Sequence, residues 1–151
     1  DLTYQAVSGT LIPPAMPTVL VADLSGAERA VQEALAGLLL RARIGVGGYR
    51  EVALATGAYE FAAPARCGIT VPGALLGGGL PAYGLYAAKE GWVAFAALEP
   101  HFLKRSIEQL GPFETRADLE RIFAERTAAE WEQLAAEHDI PLAAVRPAGS
   151  P

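Results

Sequence analysis

Apolar and polar positions follow a helical period through VLVADLSGAERAVQEALAGLLLRAR, residues 19–43. Ser25 followed by Glu28 has the spacing of a capping box, in which each side chain satisfies the other's free backbone N–H. Behind it Ala27, Ala30, Val31, Ala34, Leu35, Leu38 and Leu39 recur at three- and four-residue intervals and predict one apolar stripe. Arg41 and Arg43 fall in the last turn, where cations meet the negative helix end, and Gly45 supplies the stop. The stripe is small and flat, so we expect it to pack against a sheet or a second helix at close range.

Elsewhere the pattern is shorter in range. Residues 10–18, TLIPPAMPT, carry three prolines and predict an extended connector. Tyr49 to Ala55 is compact and apolar, which predicts a strand or the start of a buried segment. From 62 to 81 the chain reads AAPARCGITVPGALLGGGLP, and its prolines and glycines predict a hinge. Tyr83, Leu85 and Ala87 alternate on a first strand, AKEG turns with Gly91 in the left-handed position, and Trp92 to Ala97 returns as a hairpin. Pro100 opens a helix that stops at Gly111. Thr115 with Asp118, and Thr127 with Glu130, mark two more helix starts, and DIPLAAVRP predicts a strand that packs back. The order implies a mixed α/β architecture: 1–61, a hinge at 62–81, a small α/β lobe at 82–142, and a return strand and tail at 143–151.

Composition narrows the function classes. A net charge of −5 lacks the concentrated positive face that a nucleic-acid backbone requires. No apolar run reaches 18 residues before Gly, Pro or a charge interrupts it, so no membrane span is expected. Cys67 is the only cysteine; it forms no internal disulfide, which fits a reducing cytoplasm, and is expected as a small buried hydrophobe rather than a catalytic thiol. His101 and His138 stand apart, at a helix start and a helix end, and their spacing predicts no metal site. The glycine run Gly77, Gly78, Gly79 reads either as a gate or anion nest over a pocket or as a plain turn before the hairpin. Glu99 lies between an apolar strand and Pro100, where a carboxylate either caps the coming helix or serves a site.

Four segments in collinear order resemble the family III CoA-transferases and the related α-methylacyl-CoA racemases. DLTYQAVSG is similar to their run of Asp, two residues, Tyr and small residues ending in Ser-Gly. ADLSGAERAVQEALAGLLLRARIGVGGYREVAL resembles their long helix and its following turn. GGGLPAYGLYAAKEGWVAFAALEPHFLKRSIEQLG is similar to their glycine-rich hairpin region, and TAAEWEQLAAEHDIPLAAVRP to their last helix and strand. The resemblance implies the C-terminal part of a two-lobed fold in which 1–61 belongs to the large lobe. It implies that Asp1 is an interior residue of a longer enzyme and its nucleophile, with Tyr4, Gly77, Gly78, Gly79 and Glu99 binding substrate. The implied reaction moves coenzyme A between carboxylic acids, the acyl-CoA thioester being a substrate and no other cofactor being called for. It further implies a homodimer and an N-terminal half without which the chain is inactive. Two alternatives stay open: a racemase, which needs a His near Asp1 and often an Asp where Leu76 stands, and a non-catalytic interaction module that uses the stripe at 27–39.

Overall fold

The computed structural model describes residues 1–149, so the last two residues of the expected 143–151 tail lie outside the described residues. The chain divides into two units, Asp1–Cys67 and Gly68–Pro151, the change falling within the Pro/Gly-rich stretch at 62–81. The architecture is α/β: helices throughout and one small antiparallel sheet.

Unit 1 is helical. Helix α1 (Leu2–Ser8) ends at Gly9 and is followed by the proline-rich connector, which has no regular element. Helix α2 (Val21–Ile44) begins four residues ahead of Ser25, which is not its cap. The Ser25 hydroxyl lies inside the helix and donates to the Ala22 carbonyl at 3.0 Å. Apolar Val19 and Leu20 lead directly into a first turn carrying Asp23, so the helical run extends upstream of the Ser-Glu pair. Gly45 closes the helix as expected. No strand forms at 49–55; Tyr49 is 87% exposed, and the segment runs irregularly until α3 (Leu54–Phe61) and the single turn of α4 (Ala63–Arg66). Only the last two residues of the stretch, Leu54 and Ala55, wind into α3.

Helices α2 and α3 meet through their smallest residues. Gly26 lies against the Leu54 side chain and Gly57 against Ser25, so a Cβ at either position collides with its neighbour. Arg29 and Glu60 pair across the outer edge of the contact. The expected stripe does not enter it. Val31, Leu35, Leu38 and Leu39 are all exposed, Leu35 by 62%, because the inward face of α2 is the Ala22, Ser25, Gly26 side.

Unit 2 is built on strands β1 (Tyr83–Ala87), β2 (Trp92–Ala96) and β3 (Leu142–Ala144), ordered β1-β2-β3 and antiparallel throughout. Tyr83 pairs with Ala96, Leu85 with Ala94 and Phe95 with Leu142. The hairpin turns through Gly91 at φ 82°, as its sequence predicts. Helices α5 (Pro100–Leu110), α6 (Arg116–Phe123) and α7 (Ala128–His138) start where Pro100, Thr115 and Thr127 predict, and both capping boxes are formed. These helices cover one sheet face with Leu119, Phe123, Trp131 and Ala135, which meet Tyr86, Val93 and Phe95. Phe123 is the hub, 5.1 Å from Tyr86, 5.7 Å from Phe95 and 5.5 Å from Trp131 between ring centroids. Trp131 donates its indole N–H to the Phe123 carbonyl at 2.9 Å, so the buried ring carries no unpaired donor. Glu132 accepts from Ala144 N at 3.1 Å and pairs with Arg146, which fixes β3 and holds the Glu132 carboxyl below its usual range.

Candidate functional site

The two ends of the expected site fall in different units: Asp1 and Tyr4 in unit 1, the glycine run and Glu99 in unit 2.

Asp1 precedes α1, yet its carboxylate serves α2. Leu20, the residue before α2, has no side chain able to cap it. The first N–H groups of a helix need acceptors from outside it. One oxygen of Asp1 supplies one, accepting from Asp23 N at 2.9 Å. The other accepts from the side-chain amide of Gln5. That amide also donates to the Val19 carbonyl at 2.9 Å, and Gln5 itself is only 3% exposed. The Asp1 side chain is 5% exposed. An acid is thus held by a donor on each oxygen at the positive end of a 24-residue helix. Such a carboxylate is held in one orientation, which is what a nucleophile requires and also what a cap requires.

Tyr4 of α1 lines a separate hollow of about 490 Å³ with Val7, Ser8, Ala55, Thr56 and Tyr59. Arg66 stacks 3.5 Å over the Tyr59 ring beside it.

In unit 2 the glycine run lies within a tight turn, Leu75–Gly79. Gly78 has φ 94°, a left-handed conformation that favours glycine, and a Cβ on Gly77 or Gly79 would strike the carbonyls of Val71 or of Gly73 and Ala74. Gly77 N and Gly79 N both donate to Ala74 O at 2.9 Å, and Leu76 N to Ile69 O at 2.9 Å. All three glycines are therefore demanded by the turn, and the turn is bonded to itself. Tyr86 ties the following segment to the hairpin by donating its phenol to Pro81 O, and burial raises the pKa of that phenol.

Below the turn is a hollow of about 480 Å³, lined by Leu76, Gly77, Gly78, Tyr83, Leu85, Phe95 and the alanines Ala94 and Ala96, with Gly84 and Arg116. Its floor is the hairpin, with Tyr83, Leu85, Ala94 and Ala96 beside Phe95 of the aromatic core. The Arg116 side chain donates to Leu85 O at 2.7 Å, pairs with Glu120 at 2.9 Å and lies 4.7 Å over the Tyr86 ring. The hollow is thus mostly apolar, with one guanidinium among its lining groups. Gly77 and Gly78 reach it; Gly79 and Glu99 are not among its lining residues. Glu99 is exposed at the start of α5 and makes no side-chain capping bond.

The remaining candidates are placed plainly. Cys67 is exposed, contrary to the buried position expected, because α4 ends at the surface just before it. His101 is exposed and stacks on Phe102, and His138 ends α7. Among the described residues no group of three His, Cys, Asp or Glu side chains can hold a metal ion, and no helix is long and apolar enough to cross a membrane.

Sequence reasoning missed Gln5 and the hairpin's outer face. The signal for Gln5 was its position four residues after Asp1, one helical turn along a short helix. The signal for the hollow was that YGLYA and WVAFA are apolar on both faces, whereas a strand with one solvated face alternates with polar residues.

Comparison with known proteins follows the same outline. The sequence profile described as CoA-transferase family III matches residues 1–150. Nothing matches among the curated proteins. Among solved structures, the chain is similar to the hypothetical protein Rv3272 from Mycobacterium tuberculosis, at 20% identity and a TM-score of 0.78, covering 97% of this chain and 47% of that one. An orthorhombic form of Rv3272 gives 19% identity and a TM-score of 0.75 over the same shares. An aspartate-to-alanine mutant of Rv3272 gives 20% identity and 0.71, covering 97% of this chain and 46% of that one. The likeness is one of fold, and the chain spans about half the length of these structures.

Proposed function

The chain belongs to CoA-transferase family III, a family of acyl-CoA-handling enzymes, and we propose from this that it forms part of an enzyme moving coenzyme A between carboxylic acids, with Asp1 as the covalent carrier. The observation that carries the reading is the Asp1 carboxylate, 5% exposed and held between Gln5 and the start of α2. The carboxylate attacks the thioester carbonyl of the donor acyl-CoA and expels the CoA thiolate, leaving a mixed anhydride. The thiolate returns to the aspartyl carbonyl and releases the donor acid, leaving an aspartyl-CoA thioester. The acceptor carboxylate displaces the thiolate again, and the thiolate takes the acceptor acyl group, freeing Asp1. Each step exchanges one acyl–oxygen or acyl–sulfur bond for another, so one difficult transfer becomes several easier ones.

The hollow in unit 2 has the size and lining of an acyl-binding surface, because apolar walls with few polar groups favour a hydrocarbon over water. We assign the rest of the enzyme to a further segment of about the same length, as in the solved structures, and a homodimer is the assembly to test by sedimentation.

The deciding experiment incubates the full-length protein with acyl-CoA and hydroxylamine. Hydroxamate on Asp1, lost in Asp1→Asn, supports the reading; an unlabelled Asp1 overturns it. Deuterium entering the α-carbon from solvent without acyl exchange would instead establish racemization. Ala94→Phe, which fills the hollow, is expected to raise KM for acyl-CoA about tenfold, since each 1.4 kcal/mol of lost contact is a factor of ten.

A further inference from the structure

We infer that Gln5 is the positioning residue of the Asp1 carboxylate: anchored on the Val19 carbonyl, its amide presents its second N–H to Asp1 and fixes which way the acid points. The inference rests on the reading of Asp1 as the carrier.

The geometry leaves the amide little freedom. Gln5 is 3% exposed, on the second turn of α1, and its Nε2 donates to Val19 O at 2.9 Å and to Asp1. Its own backbone is fixed as well: the Gln5 carbonyl accepts from Thr10 N at 3.1 Å and from the Ser8 and Thr10 hydroxyls at 3.1 and 3.2 Å. A long polar side chain with both ends bound has lost its rotamer freedom on folding, so aiming the carboxylate adds no further entropic cost at the moment of reaction. The other donor to Asp1 is a backbone N–H of α2, which no side-chain substitution removes. Among the described residues Gln5 is therefore the side chain whose change releases Asp1. The titratable groups on the elements packed around the pair are Asp23 on α2 and Tyr4 on α1; Tyr59 on α3 lines the Tyr4 hollow, and Glu60 on α3 is paired with Arg29.

A donor to the charged form of an acid lowers its pKa, and losing the donor raises it. In Gln5→Met, close in volume and without a donor, the Asp1 titration followed by carboxyl carbon NMR in the full-length protein moves up. In Gln5→Glu, where two carboxyl groups share the place, it moves further. The rate of hydroxylamine-trapped acylation at its pH plateau falls about tenfold to a hundredfold in Gln5→Met while KM for acyl-CoA holds, because orientation rather than binding is lost. The wild-type protein supplies a measurement that needs no variant: one of the two Gln5 side-chain amide protons shifts as Asp1 titrates. If neither proton moves, or if Gln5→Met titrates and acylates like wild type, the inference falls while the transfer reading stands. If Asp1 is never labelled in wild type but its titration follows Gln5 as described, the transfer reading falls and the hold of Gln5 on Asp1 stands.

Discussion

In unit 2 the buried side chains are large: Tyr86, Phe95, Phe123, Trp131, Leu119 and Val93. In unit 1 nothing larger than Gln5 is buried; the interior is Ala22, Ser25, Gly26, Gly57, Ala58 and Ala62, while leucines line the outside of α2. One unit has a hydrophobic core of its own, and the other holds its helices at close range on small residues. The difference teaches that burial and chemistry are divided here. The unit with the weaker core carries an acid whose side chain is only 5% exposed, and its order comes from hydrogen bonds at helix ends rather than from packed volume.

The widest break in that comparison comes from Phe123. Phe123→Ala removes the hub of the aromatic core and is expected to cost about 3–5 kcal/mol, read as a lower urea midpoint of the 151-residue chain. Leu38→Ser on the outer face of α2 is expected to stay within about 0.5 kcal/mol of wild type in the same chain. Equal losses from the two would show that the comparison is wrongly drawn.

A smaller effect tests the close approach in unit 1. Gly57→Val drives a branched side chain into Ser25 and is expected to cost about 1–3 kcal/mol. Combined with Ser25→Gly, which clears the obstructing hydroxyl, part of that loss returns; strict additivity of the two changes would show that the helices do not meet there.

The smallest effect concerns acid. Asp118 accepts from the Thr115 hydroxyl and backbone, and those bonds lower its pKa from 3.8 to about 2. A lowered carboxyl stabilises the fold above its unfolded value and loses that contribution as pH falls through the folded one. Thr115→Ala removes the largest of the causes, so the stability gap between wild type and variant is widest above pH 3.8 and closes towards about 2. Urea midpoints at about pH 7 and about pH 2.5 check it; a constant gap would sever the cap from the titration.

Legibility in the sequence divides along the same line. Unit 2 announces itself locally: Thr115 with Asp118, Thr127 with Glu130, Pro100 and Gly91 each act within four residues, and each element starts or turns where they say. In unit 1 the strongest local sign was false. Ser25 and Glu28 have capping-box spacing inside a helix that was already under way, and the real cap came from Asp1, 22 residues upstream. The stripe from Ala27 to Leu39 is a true period, but the period only says that a face is apolar, and here the chain packs the opposite face. Of the candidate site, the position of Asp1 came from family resemblance, while Gln5 and the hairpin's outer face needed coordinates. Their neighbours lie on other elements, and no local pattern carries that.

The glycine-and-alanine seam between α2 and α3 has a thermal consequence. The heat-capacity increment of unfolding scales with the apolar area released to water. A seam of small residues releases little, so melting of unit 1 contributes a shallow calorimetric step with weak curvature against temperature. The aromatic cluster around Phe123 supplies most of the endotherm, and a scan of the chain reports chiefly on the half that does not hold Asp1.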